Sequence, residues 1–234
     1  MSGQDRAELS DLLVTISNPR SPISEAYRTL RTNLQFASLD KPLQTLLVTS
    51  PGPEEGKSTT LANLAVTMAQ GEKKVILVDC DLRRPSLHRL FGLPQQPGMT
   101  AMILDKAVMG NPPLQETAVP GLWLLPSGTL PPSPPDLLGS QRMDSLLEAL
   151  VDRADVVLLD APPVIGVSDA PILATKVDGV LLVVSAGQTK RESVQSSKEM
   201  LERVNANLIG AVLANVPLDA SLQRYYYAQR EEGE

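Results

Sequence analysis

The chain of 234 residues has little of several things. It has a single cysteine, Cys80. That excludes an internal disulfide and suits a reducing compartment. Aromatic residues make up only 3%, so aliphatic side chains must build the core. Basic residues are outnumbered 21 to 27 by acidic ones, and the net charge is −6. Nucleic-acid binders usually carry a basic excess, so no nucleic acid is expected as a partner. No apolar run approaches the ~18 residues that a spanning helix needs. The opening MSGQDRAELSD is polar and acidic, unlike a secretory signal. These absences lead to the expectation of a cytosolic protein.

What is present is globular in character, with 42% hydrophobic and 21% charged residues. Residues 1–20 read as a polar arm with a short apolar stretch at 12–16. Ser21-Pro22 reads as a helix start, with Ser21 as N-cap. Tyr27, Leu30 and Leu34 share one face of that helix, and Glu25, Arg28 and Arg31 share another. Short apolar strands follow at 45–49, 74–78, 122–125, 156–159, 180–184 and 208–213. Helices are expected at 57–70, with Gly71 as C-cap, at 136–149 after a proline-rich loop with Ser133 as cap, and at 191–204. Strands apolar on both faces that alternate with helices indicate an α/β protein. Its mainly parallel sheet would be covered on both sides, with ligands beyond the carboxyl ends of the strands. A single α/β domain over 21–217 and a mobile tail over 218–234 complete this organisation.

Three motifs lie at those strand ends. SPGPEEGKSTT at 50–60 sits between a strand and a helix, where backbone N–H groups and the positive helix end can hold phosphate. Lys57 can reach the β- and γ-phosphates, and the Ser58 hydroxyl can bind Mg²⁺. The full phosphate set is read as Gly52, Glu55, Gly56, Lys57, Ser58 and Thr59. The first glycine of the usual pattern is displaced: Pro51 stands at its place and Gly52 comes one residue late. The second motif, VILVDCDLRRP at 75–85, ends four aliphatics in Asp79-x-Asp81-x-Arg83. One of its two carboxylates can hold Mg²⁺ through water, and the other can accept a proton from an attacking hydroxyl. The third, VVLLDAPPV at 156–164, ends another aliphatic run in Asp160, suited to orienting the water shell of Mg²⁺. Asn215 ends the last strand, where it can read adenine or simply make a turn. His88 reads as a helix-surface residue and Cys80 as a small buried side chain.

Together these motifs resemble the bacterial tyrosine kinases of capsular and exopolysaccharide export. SPISEAYRTLRTNLQF at 21–36, LPSGTLPPSPPDLLGS at 125–140 and VDGVLLVVSAGQT at 177–189 extend the likeness over nearly the whole chain. The resemblance implies an ATP- and Mg²⁺-dependent protein-tyrosine autokinase. Lys57, Asp79, Asp81 and Asp160 would be catalytic. Ser58, Asp81 and Asp160 would serve the metal, Asp79 would activate the acceptor, and Arg83 would join the phosphate contacts. Glu25, Arg28 and Arg31 match the family's E-x-x-R-x-x-R element for self-association into a ring. Tyr225, Tyr226 and Tyr227, three of the four tyrosines, stand where the family carries its acceptors. The resemblance also implies recruitment to the inner membrane face by a transmembrane activator of the polysaccharide chain-length type. Other protein substrates stay open. Glu54 departs from the family's frequent glycine and would bring negative charge near the phosphates unless it points outward. Two alternatives share the fold: a septum-positioning or partition ATPase, and a nucleotide-dependent assembly scaffold. The first usually carries a lysine where this chain has Gly52.

Overall fold

The computed structural model describes residues 12–37 and 42–217. Seven strands form one sheet: β1 (Thr45–Thr49), β2 (Val75–Asp79), β3 (Gln115–Glu116), β4 (Leu122–Leu125), β5 (Val156–Asp160), β6 (Gly179–Ser185) and β7 (Leu208–Ala214). Their spatial order is β3-β4-β2-β5-β1-β6-β7. Every pairing is parallel except the short β3–β4 pair.

The strands β1, β2 and β5 are buried at every position. Their alternation feeds two separate cores. Leu47, Ile76, Val78, Val157 and Leu159 face one way, toward Met143, Leu146 and Leu150 of α8 (Gln141–Val151) and Leu173 of α9 (Asp169–Ala174). Leu46, Val48, Val75, Leu77 and Leu158 face the other way, toward Leu61, Leu64 and Met68 of α3 (Lys57–Gln70) and Leu34 of α2 (Pro22–Ala37). This two-sided burial is why these strands read as unbroken aliphatic runs rather than as polar–apolar alternation.

The remaining helices are short or peripheral: α1 (Val14–Ser17), α4 (Leu87–Leu90), α5 (Met99–Leu104), α6 (Lys106–Met109) and α7 (Pro134–Gly139), with α10 (Arg191–Arg203) covering β6 and β7. The single helix expected over 136–149 is two helices, α7 and α8. Ser140 between them is extended, and its hydroxyl accepts from the Met143 N–H to cap α8. Ser21 caps α2 as expected, its Oγ accepting from Ser24 N at 3.1 Å.

The expected N-terminal arm is, from Leu12 on, packed against α3. Asn63 of that helix accepts from Thr15 N at 3.1 Å and Thr15 Oγ at 2.8 Å, and donates to Leu12 O at 2.9 Å. Leu13 is buried alongside. Gly71 ends α3 without the left-handed backbone of a glycine cap (φ −90°). A Cβ there would meet the movable tip of Arg31, 2.6 Å away.

Candidate active site

Strand register brings the three motifs together. Asp79 of β2 lies opposite Asp160 of β5, and Asp160 lies opposite Val48 of β1. The loop leaving β1 therefore opens beside both acidic strand ends. It turns into α3 through Gly56, whose φ of +84° is a left-handed conformation that favours glycine. Lys57 and Ser58 then stand in the first turn of α3, at its positive end.

The Lys57 ammonium is the centre of the cluster. Its Nζ donates to Asp81 Oδ2 at 2.9 Å, to Asp160 Oδ1 at 3.3 Å and to Ser58 Oγ at 3.2 Å. Ser58 Oγ–H donates to Asp160 Oδ2 at 2.5 Å. Burial alone pulls the Lys57 pKa down, but the adjoining Asp160 and Asp81 carboxylates reverse this, and it lies above its usual value. Burial pushes Asp160 above the usual carboxylate range, while Lys57 and the Ser58 hydroxyl pull it back. Asp81 also holds the turn that follows it, its Oδ1 accepting from Arg83 N and Arg84 N.

Asp79 has a different post. It is fully buried behind this cluster. Its Oδ2 accepts from Ser86 N and Leu87 N, both at 3.0 Å, at the start of α4. Its Oδ1 has no hydrogen-bond partner. Burial raises its pKa well above the ordinary carboxylate value, and the neighbouring Asp160 adds to this. Three carboxylates thus converge on one lysine. The site carries an excess of negative charge that a proton on Asp79, or a cation, would relieve.

Such a donor set suits a hard divalent ion. A serine hydroxyl and two carboxylates converge, with the charge excess to attract it. Among the described residues, no group of three or more His, Cys, Asp and Glu side chains is placed to hold a metal unaided. Mg²⁺ held here would take its remaining oxygens from phosphate and water, as Mg²⁺ commonly does.

A protein-family model described as ParA, NUBPL iron-transfer P-loop NTPase matches residues 43–218. The tyrosine-protein kinase YwqD of Bacillus subtilis is 40% identical over 219 residues, covering 94% of this chain and 92% of its own length. The chain belongs to the bacterial tyrosine kinases. The chimerical protein CapA2B2 superposes with a TM-score of 0.84 at 35% identity, over 89% of this chain and 91% of that one. For the kinase domain of the Escherichia coli tyrosine kinase ETK the TM-score is 0.80 at 32% identity, over 88% and 82%. The shared P-loop NTPase fold makes this a nucleotide-binding domain.

The other expected site residues of this family member divide into two groups. Asn215 is beside the phosphate loop: a Cβ on Gly56 would lie 3.8 Å from its Nδ2. It has a left-handed backbone (φ +57°), and its Nδ2 donates to Ser185 Oγ at 2.9 Å. Glu55 is buried in the loop, whereas Glu54 is exposed with φ +61°. The position that favours glycine thus keeps its charge in solvent. Arg83, expected among the phosphate contacts, instead forks onto Asp169, with Nε and Nη2 each 2.9 Å from a carboxylate oxygen. Asp169 is fully buried at the start of α9.

Glu25 and Arg28 pair with each other at 2.7 Å. Arg31 does not join them; its Nη1 reaches Thr67 O near the end of α3 at 2.6 Å. Tyr225, Tyr226 and Tyr227 lie outside the described residues. Cys80 is fully buried, as expected. His88 is half-buried rather than at the surface, its Nδ1 enclosed without a partner, and burial lowers its pKa. Sequence reasoning missed Asp169 and Asn63. Only the Ser168-Asp169 helix start hinted at the first.

Proposed function

We infer that this chain is an ATP-dependent protein-tyrosine kinase that phosphorylates the C-terminal tyrosines of neighbouring copies and thereby regulates exopolysaccharide polymerisation and export. The observation that carries this reading is the Lys57 ammonium set between Asp81 and Asp160 at the end of three adjacent strands. ATP is the phosphoryl donor. Ser58, Asp81 and Asp160 would hold Mg²⁺, which when bound neutralises charge on the phosphates.

The chemistry left to the protein is positioning and electrostatics. Backbone N–H groups of the loop, Thr59 and the start of α3 bind the phosphates. Lys57, with its pKa raised, stays cationic through the working range and supplies positive charge where the transferred group becomes more negative. The tyrosine oxygen bonds to the γ-phosphorus as the bond from that phosphorus to the ADP oxygen breaks. The phenolic proton passes late to an aspartate of this cluster, with Asp79 kept as the residue that activates the acceptor. Products are phosphotyrosine, ADP and a proton. Asn215, beside Gly56, would meet the adenine base.

Glu25, Arg28 and Arg31 are retained as the self-association element, with Arg31 also bracing α2 on α3. Among the described residues no helix is long and apolar enough to cross a membrane. A transmembrane activator therefore fits as the partner that holds this domain at the inner membrane face.

Incubating the purified chain with ATP and Mg²⁺ and probing for phosphotyrosine tests the reading. Label confined to residues 225–227 and absent from Lys57→Met is the expected result. ATP hydrolysis without phosphotyrosine would favour the partition-type ATPase. Neither activity would leave the scaffold.

A further inference from the structure

The phosphate loop has an outer wall whose lining includes none of Lys57, Ser58, Asp81 and Asp160. Pro51, Pro53 and Glu55 of the loop, Ile165 after β5, and Thr189 and Lys190 before α10 line a cavity of ≈ 250 Å³. Glu55 is only 8% exposed, and its Oε2 has no hydrogen-bond partner. Leaving a buried carboxylate oxygen without a donor is costly, so the cavity is suited to a cationic donor brought from elsewhere. Pro51, Pro53 and the exposed Ile165 offer apolar surface for an aliphatic stem, which favours arginine's long side chain. On the rim, Lys190 and Arg191 are exposed, and neither pairs with an acid among the described residues.

The wall thus presents an acid on its floor and two consecutive bases at its edge. The chain carries the complementary order in Arg230-Glu231-Glu232. Arg230 follows Tyr227 by three residues, a reach of about 10 Å when extended. Glu55 precedes Lys57 by two residues, within about 7 Å along the backbone. A segment anchored through Arg230 on Glu55 would therefore hold the tyrosine run within reach of the phosphate end of the site.

We propose that this cavity is the docking subsite for the acceptor segment of a second copy, with Arg230 donating to Glu55 and Glu231 and Glu232 facing Lys190 and Arg191. The proposal rests on the tyrosine-kinase reading and names what that kinase recognises besides tyrosine.

Two full-length populations test it. One is the kinase copy, with Tyr225, Tyr226 and Tyr227 changed to Phe. The other is the acceptor copy, with Lys57→Met. Acceptor phosphotyrosine is measured against acceptor concentration. Arg230→Glu in the acceptor should raise the half-saturating concentration about tenfold and leave the maximal rate and the KM for ATP unchanged. Lys190→Glu with Arg191→Glu in the kinase copy should raise it similarly, and Glu231→Lys with Glu232→Lys in the acceptor should restore it. Glu55→Gln in the kinase copy should abolish the difference between the wild-type and Arg230→Glu acceptors. Equal half-saturation for all acceptors, or effects of Glu55→Gln and Arg230→Glu that simply add, would overturn the docking proposal and leave the kinase reading intact. No phosphotyrosine on any acceptor would overturn both.

Discussion

The two walls of the phosphate loop are built on opposite plans. On the inner wall, Lys57 is held by Asp81, Asp160 and Ser58, and Asp81 and Asp160 are further tied to backbone or hydroxyl donors. On the outer wall, Glu55 is buried with an oxygen that nothing meets, while the nearby bases stand in solvent. A wall whose charged groups hold one another in place is preorganised before anything binds, although its acids outnumber its one cation. A wall with an unmet carboxylate is completed by something that arrives. The difference separates positioning for chemistry from recognition of a partner.

The largest test of this contrast is Lys57→Met. It removes the inner cation and leaves Asp81 and Asp160 facing each other. Phosphotyrosine formation should fall by about 10²- to 10³-fold, the range seen when one preorganised donor is lost. A loss of less than tenfold would show that the inner wall is not the catalytic one.

Next in size is Arg83→Met, which strands the buried Asp169 carboxylate. Urea unfolding should show a loss of about 2–3 kcal/mol, near the upper end for a buried group left unsatisfied. If stability is unchanged while the KM for ATP rises, Arg83 serves phosphate and the Asp169 pairing is secondary.

Asp79→Asn comes third and separates the two walls by pH. The folded-state pKa of Asp79 is raised above 3.8, so the folded protein binds its proton more tightly than the unfolded chain does. Stability on this account falls as pH rises from about 4 through the raised value. Asparagine keeps an oxygen for the Ser86 and Leu87 amides but carries no charge. The variant should be more stable than the wild type by about 1 kcal/mol at pH 8, with little difference at pH 4. Thermal melts at both values check this, and a destabilised variant at pH 8 would contradict it.

The smallest effect is expected at Glu54→Gly on the outer side. It relieves a left-handed backbone at the cost of chain entropy, and should stabilise by up to about 0.5 kcal/mol. Phosphotransfer should not change, because the carboxylate is already in solvent.

Legibility followed how local each cause is. The spans of β1 and α3 were readable to the residue because strand burial and the Gly-Lys-Ser start lie within a few positions. Asp79 and Asp160 stood out because each ends an aliphatic run, and Asp81 follows two residues after the first. The split of the 136–149 helix was missed because Ser140 satisfies the Met143 amide by itself, a local hydroxyl outweighing helical periodicity. The strand β3 has two polar residues, one half-buried and one exposed, and no apolar signal at all. The pairing of Asp169 was invisible because its partner lies 86 positions away. The brace that Arg31 makes was unreadable for a related reason: its partner is the Thr67 backbone carbonyl, which no side-chain pattern announces.

The clasp that Asn63 makes on Leu12 and Thr15 has a mechanical consequence. Asn63 lies on the same rigid rod as Lys57, less than two helical turns away. Tension applied upstream of Leu12 is delivered to the lever that carries the Lys57 ammonium, with no slack joint between them.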